Sequence, residues 1–148
     1  MKTSAYLLEM IKYGGNVNDV VKINDNILYT PLIKSCGYLS NIENVKILIK
    51  SGADINFCAS ACDNIYYQAF VFDRIDVFKF LIMDYKINLY KAIYIDDFWD
   101  STYIYDLVYT LDFKQDSIQN EIKNEVMQYM IKHNAKIVSM YIMKNISI

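Results

Sequence analysis

The sequence is poor in the residues that build metal sites and disulfide frameworks. It has one histidine, His133, and three cysteines, Cys36, Cys58 and Cys62, in 148 residues. A structural zinc site needs four ligands, usually as two close pairs, and only Cys58 and Cys62 form such a pair. An odd cysteine count also does not suggest a disulfide framework, which fits a reducing compartment. We therefore expect no metal and no cofactor, with thiols that pack as small side chains.

Long apolar runs and an excess of positive charge are also missing. No stretch reaches the roughly 20 apolar residues that a membrane span needs, and the N-terminal segment meets Glu9 too early for a signal peptide. The formal net charge is -2, and the basic residues are scattered. That balance argues against a protein held on nucleic acid by phosphate contacts. We expect a soluble cytoplasmic protein that binds neither membranes nor nucleic acid.

No pattern typical of catalysis is present. The sequence contains no glycine-rich phosphate loop, no nucleophile elbow and no HExxH pair. Asp96 and Asp97 are adjacent, so their side chains diverge instead of flanking one substrate bond. His133 falls near a predicted helix C-terminus, where a surface histidine interacts with the helix dipole. We therefore predict that the chain is not an enzyme.

What the sequence does contain is a helix ending that recurs. Residues 44–56 read NVKILIKSGADIN, an amphipathic helix followed by a glycine, a turn and an isolated Ile-Asn. A glycine just past a helix takes a left-handed backbone without a Cβ penalty and so ends the helix. Residues 6–18, 77–88 and 125–137 carry versions of the same ending, the last two without the glycine.

The spacing of these endings indicates internal repeats. Each contains a matching apolar residue, and the successive separations are 38, 32 and 50 residues: Val17, Ile55, Ile87 and Ile137. Repeats near this length are typical of units that bury their apolar faces against their neighbours. Upstream of the second ending, Thr30 is a predicted helix cap, and Pro31 falls at the first helical position, where its missing N–H costs nothing.

Residues 30–56, TPLIKSCGYLSNIENVKILIKSGADIN, resemble the ankyrin repeat, whose pattern is T-P-L-H-x-A followed by V-V-x-L-L-L-x-x-G-A-D-V-N. Divergent repeats in a chain rich in Ile, Asn, Lys and Tyr are similar to the poxvirus ankyrin-repeat proteins. The resemblance implies an all-α ankyrin-repeat solenoid of about four units in a single domain over residues 1–148. The units are 1–18 (partial), 24–56, 63–88 and 100–137, with 138–148 as a C-terminal cap or tail.

The chain departs from the ankyrin pattern within its repeats. The first unit contains only its second helix, which should expose the apolar face around Leu32 unless residues 1–13 cover it. In the third unit only Ala69 matches the TPLHxA motif. In the fourth, Ser101 and Thr102 are the predicted cap of the next helix.

It also departs from the poxvirus pattern at its C-terminus. Many poxvirus ankyrin proteins end in an F-box-like segment that recruits the ubiquitin machinery, and residues 138–148 are too few for one. The chain therefore looks like a piece of a longer relative. One alternative is that it is a truncated remnant with little or no independent function.

The leading prediction is a non-catalytic module that binds a host protein. The connection 89–101 is longer than a standard finger between repeats and contains the only tryptophan. A tryptophan beside acidic groups is typical of an interface anchor. We predict that these residues bind the partner: Trp99, Phe98, Tyr94, Asp96, Asp97 and Asp100. The hairpin 24–29 would form the rim. The alternative is that Trp99 fills the gap left by the insertion.

Overall fold

The computed structural model describes residues 2–25, 27–58, 64–93 and 102–136 and divides the chain into two compact units. The first unit, residues 1–72, contains α1 (Lys2–Lys12), β1 (Val21–Asn24), β2 (Ile27–Tyr29), α2 (Pro31–Ser35), α3 (Ile42–Lys50) and α4 (Ile65–Val71). The second, residues 73–148, contains α5 (Ile75–Lys79), a π-helical segment (Phe80–Asp84), β3 (Ala92–Ile93), β4 (Thr102–Tyr103), α6 (Ile104–Thr110) and α7 (Ser117–Lys132). The boundary falls inside the predicted repeat 63–88, and the single domain stays a prediction.

The prediction of an all-α solenoid is wrong, because each unit contains a two-stranded antiparallel sheet. Strands β1 and β2 pair with Val21 opposite Tyr29, and strands β3 and β4 pair with Ile93 opposite Thr102. β-branched and aromatic residues favour such strands. The ladders also satisfy backbone groups that an unpaired connection would leave to water. The chain therefore combines helices with small sheets in a mixed α and β architecture.

The predicted cap of the fourth helix pair is also wrong. Tyr103 occupies the N-cap of α6 and makes no side-chain capping bond. Thr102 lies one residue earlier, in β4, and its buried hydroxyl has no hydrogen-bond partner among the described residues. Ser101 lies outside the described residues. Pairing with β3 holds Thr102 in the sheet, so it is too early in the chain to cap the helix.

Five described helices are followed by a residue with a left-handed backbone, one of them α4, after which Asp73 has φ of +53°. Gly14 and Gly52, after α1 and α3, have φ of +90° and +93°. Where the glycine is missing, Lys86 has φ of +60° after the π-helical segment, and Asn134 has φ of +56° after α7. This conformation costs a residue with a side chain roughly 1–2 kcal/mol. The helix stop is therefore kept even where the glycine has been replaced.

Thr30 caps α2 as the sequence predicts. Its side-chain oxygen accepts a hydrogen bond from the backbone N–H of Ile33 at 3.2 Å, and Pro31 occupies the first turn. The hydroxyl satisfies one of the donors that a helix N-terminus leaves without a partner. Because Thr30 is buried, water is not free to replace this bond.

Replacing Thr30 by valine should lower the free energy of unfolding by about 1–2 kcal/mol. The substitution keeps the side-chain shape but leaves the buried N–H of Ile33 unpaired. Urea unfolding followed by circular dichroism measures the loss, with Thr30→Ser as the matched control that retains the acceptor. If valine and serine give the same stability, the cap does not contribute to the fold.

The core of the first unit forms where α2 packs on both α3 and α4. A Cβ at Gly37, just after α2, would lie 2.9 Å from Oε1 of Gln68, so a larger residue there would require that side chain to move. The amide of Gln68 donates to the hydroxyl of Tyr29 at 3.0 Å and so joins α4 to β2. The apolar side chains buried around this contact come from all three helices: Leu32, Ile33, Cys36, Val45, Leu48, Ile65 and Ala69.

In the second unit, α7 contacts both α5 and α6. The Lys123 amine of α7 donates to the carbonyls of Tyr109 and Leu111 at 2.8 and 2.5 Å. Those carbonyls lie at the end of α6, where a helix leaves acceptors without partners. Burial lowers the pKa of Lys123, and Asp112 acts in the opposite direction. The amine therefore has a structural role in holding α6 against α7.

Candidate protein-binding groove

The six residues predicted to bind a partner lie outside the described residues: Trp99, Phe98, Tyr94, Asp96, Asp97 and Asp100. That site therefore stays a prediction. In the predicted rim 24–29, Leu28 and Tyr29 are half-buried, and the Tyr29 hydroxyl is occupied by Gln68.

The residues weighed for chemistry are dispersed over the described chain. Cys36 is buried and Cys58 is exposed, whereas Cys62 lies outside the described residues. His133 is the C-cap of α7 and lies against the ring of Tyr129, with 4.2 Å between ring centroids. Within the described ranges, no three His, Cys, Asp or Glu side chains lie together as a metal site would need.

Helix α1 is only partly covered by the rest of the first unit. Leu7 and Ile11 are half-buried, and the hydroxyl of Ser4 donates to the side-chain oxygen of Asn44 on α3 at 2.9 Å. On another face, Tyr6 and Met10 are 65% and 64% exposed. Tyr13, just past the helix, is 81% exposed. Tyr6, Met10 and Tyr13 follow one another at spacings of four and three residues. They therefore form one apolar stripe along α1 and the turn after it.

A groove of about 570 Å³ runs beside this stripe. Tyr6 and Met10 of α1 line one side, and Lys34 of α2 lines it as well. The turn between α2 and α3 contributes Tyr38 and Leu39, which are 69% and 84% exposed. Leu39 also has a left-handed backbone with φ of +57°, a strained conformation of the kind found at binding sites.

The apolar face around Leu32 was predicted to be exposed unless residues 1–13 cover it, and it is buried. Leu32 is fully buried, and α1 packs on α3. The exposed apolar surface is carried instead by the outer stripe of α1 and by Tyr38 and Leu39.

The groove is lined mainly by apolar and aromatic side chains. Burial is the main cause that raises the pKa of Tyr105 and lowers the pKa of Lys123. Neither lines the groove. Its one charged lining residue is Lys34, which forms no ion pair among the described residues. An apolar slot with a single cation at its edge is suited to binding a complementary surface.

The groove was not predicted from the sequence, because residues 6–18 were interpreted only as a repeat ending. The four- and three-residue spacing of Tyr6, Met10 and Tyr13 was a visible signal. A helix that packs on its neighbours through one face needs apolar residues on that face only, here Leu7 and Ile11. The apolar residues Tyr6, Met10 and Tyr13 on a second face are therefore more than this packing requires. The exposure of Tyr38 and Leu39 had no comparable signal, since it depends on how the turn between α2 and α3 packs.

Comparison with known proteins identifies no relative of the chain. No family model, curated protein or solved structure matches the chain. Across the described residues, the helices are too short or too polar to cross a membrane.

Proposed function

We propose that the chain is a non-catalytic protein-binding module related to the poxvirus ankyrin-repeat proteins, and that it binds a host protein in the cytoplasm. The observation that carries the binding function is the exposed apolar groove of the first unit. A contiguous patch of large apolar side chains on a soluble chain is typical of an interaction site. The composition of the patch, mainly tyrosine with methionine and leucine, is that of an interface centre.

The relation to ankyrin proteins is supported by three features. The Thr30-Pro31 start of α2 and the left-handed Gly52 after α3 both occur at the positions that the ankyrin-like motif gives them. The left-handed residues Lys86 and Asn134 extend the same helix ending to the two divergent copies. These features bear on ancestry, whereas the partner depends on surface residues and is a separate question.

Replacing Tyr38 or Tyr6 by alanine should weaken partner binding by more than about 1 kcal/mol, or roughly fivefold, without unfolding the chain. Both side chains line the groove and are mostly exposed, so their loss removes contact area and leaves the core intact. The measurement is capture of host proteins from cytosol by the tagged chain, read by mass spectrometry, followed by affinity measurement on the captured protein. Tyr85→Ala is the matched control, since Tyr85 is 45% exposed and lies neither in the groove nor in residues 89–101.

Two variants of the connection 89–101, Trp99→Ala and Asp97→Lys, are tested in the same experiment. A host protein lost with Trp99→Ala or Asp97→Lys, but retained by both groove variants, would place the site on residues 89–101 and not on the groove. If the parent chain and every variant recover the same background, the chain behaves as the truncated remnant and the proposed binding function is wrong.

A further inference from the structure

We propose that a second copy of this chain covers the groove, so that two chains pair through α1 and the turn that carries Tyr38 and Leu39. The inference rests on the proposed function, because it names what occupies the same binding groove when no other partner is present. All residues of the proposed surface belong to the first unit.

The size of the patch supports an occupant as large as another chain. A tyrosine side chain presents about 200 Å² when fully uncovered. The observed exposures of Tyr6, Tyr13 and Tyr38 then correspond to on the order of 400 Å². Met10 and Leu39 extend this surface further. A standard interface buries about 800 Å² on each partner, with an apolar centre and a polar rim, so these side chains are enough to form the centre.

The charges beside the patch favour a second copy over an unrelated surface. Glu9 follows Tyr6 by three residues and precedes Tyr13 by four, so it lies within the exposed stripe of α1. Lys34 is exposed on α2 and lines the groove. Neither side chain takes part in an ion pair among the described residues. Within the described part of the chain, the unpaired charges at this surface are therefore one anion, Glu9, and two cations, Lys34 and Lys12, the last with its amine 6.0 Å from the centroid of the Tyr13 ring.

A two-fold pairing would give Glu9 and Lys34 each an opposite charge without any other partner. In a symmetric interface the same patch meets itself, so each contact between different residues occurs twice. Glu9 of one chain would face Lys34 of the second copy, and Lys34 would face Glu9. The formal net charge of -2 per chain gives only weak repulsion against this approach.

Self-pairing would regulate the proposed binding function. Host protein and second copy would compete for one groove, so the apparent affinity for the host protein would fall as the chain itself becomes more concentrated. The groove would be open mainly in dilute protein, where the dimer dissociates.

The test is sedimentation equilibrium of the full chain over a range of concentrations, with Glu9→Lys, Lys34→Glu and the double variant. We expect the parent to form a dimer. Each single reversal should raise the dissociation constant at least tenfold, on the order expected when one substitution creates two like-charge contacts. The double variant should restore a dissociation constant close to that of the parent. Circular dichroism checks that the exposed substitutions leave the fold unchanged, and Tyr85→Ala is the control that should not alter the dimer.

A parent chain that stays monomeric over the whole range overturns the proposal, and so does a double variant that remains as weak as the single ones. The host-protein capture separates this failure from failure of the proposed function. A monomeric parent that still loses its host protein with Tyr38→Ala keeps the binding function and rejects the dimer. Rescue of the dimer by the double variant, with no host protein lost in any groove variant, supports the second copy and rejects the host partner.

Discussion

Replacing Phe78 by alanine should lower the free energy of unfolding by about 3–5 kcal/mol. Phe78 is fully buried in α5, a helix of five residues that contacts α7. A helix this short has no stability of its own, so packing must hold it in place. Removing the ring costs the transfer free energy of its carbons and leaves a cavity that the surrounding helices fill only in part.

The measurement is urea unfolding of the full chain, with the midpoint and the slope both fitted. Phe72→Ala is the matched control, since Phe72 is 40% exposed and its ring contact is with Tyr38 at 5.6 Å. We expect that control to cost about 1 kcal/mol, in the range measured for aromatic pairs. Equal losses for the two variants would contradict the assignment of Phe78 to the core.

Local signals predicted the helix starts and stops better than the fold. The cap of α2 depends on Thr30 and Pro31, and the end of α3 depends on Gly52, so each is set by a few neighbouring residues. Such signals survive in a single sequence because the hydrogen bonds they satisfy are local. The third helix pair shows the limit. Its glycine is absent, and the helix continues as a π-helical segment until Lys86 takes the left-handed backbone.

The sheets were predicted only in part, since the predicted hairpin 24–29 overlaps β1 and β2 whereas β3 and β4 were not predicted. Strands β1 and β2 have four and three residues, and β3 and β4 have two each. At this length the alternation of apolar and polar residues is too brief to distinguish a strand from an extended turn. Their formation depends on pairing across the connection, as with Ile93 opposite Thr102. The same pairing displaced Thr102 from the cap position that its residue type suggested.

The candidate site shows the same division between local and tertiary information. The predicted anchor Trp99 was chosen by residue type, and it lies outside the described residues. The groove arises from two elements distant in sequence, α1 and the turn with Tyr38, and only their packing reveals a shared surface. Residue type indicated which side chains favour interfaces, but the fold decides which of them remain uncovered.

Replacing Leu48 by alanine should lower the free energy of unfolding by about 2–5 kcal/mol and also weaken binding in the groove. Leu48 is buried in α3 and lines both the groove and a second cavity of about 230 Å³. Truncation removes one of the side chains that line both spaces, and with it part of the packing of α3 against α1. Because Tyr6 and Met10 are presented by α1, a looser α1 also makes the exposed stripe less well positioned for a partner.

Leu8→Ala is the matched control, because Leu8 has the same side chain on α1 but is 53% exposed. An exposed substitution of this kind should change the free energy of unfolding by no more than about 0.5 kcal/mol. Urea unfolding and the dimer dissociation constant are measured on both variants. A Leu48→Ala chain that loses stability but keeps the parent's dimer would mean that the stripe is positioned without support from α3. Equal stability of the two variants would mean that Leu48 does not contribute to the packing beneath the groove. In that case nothing in the core would fix the positions of Tyr6 and Met10.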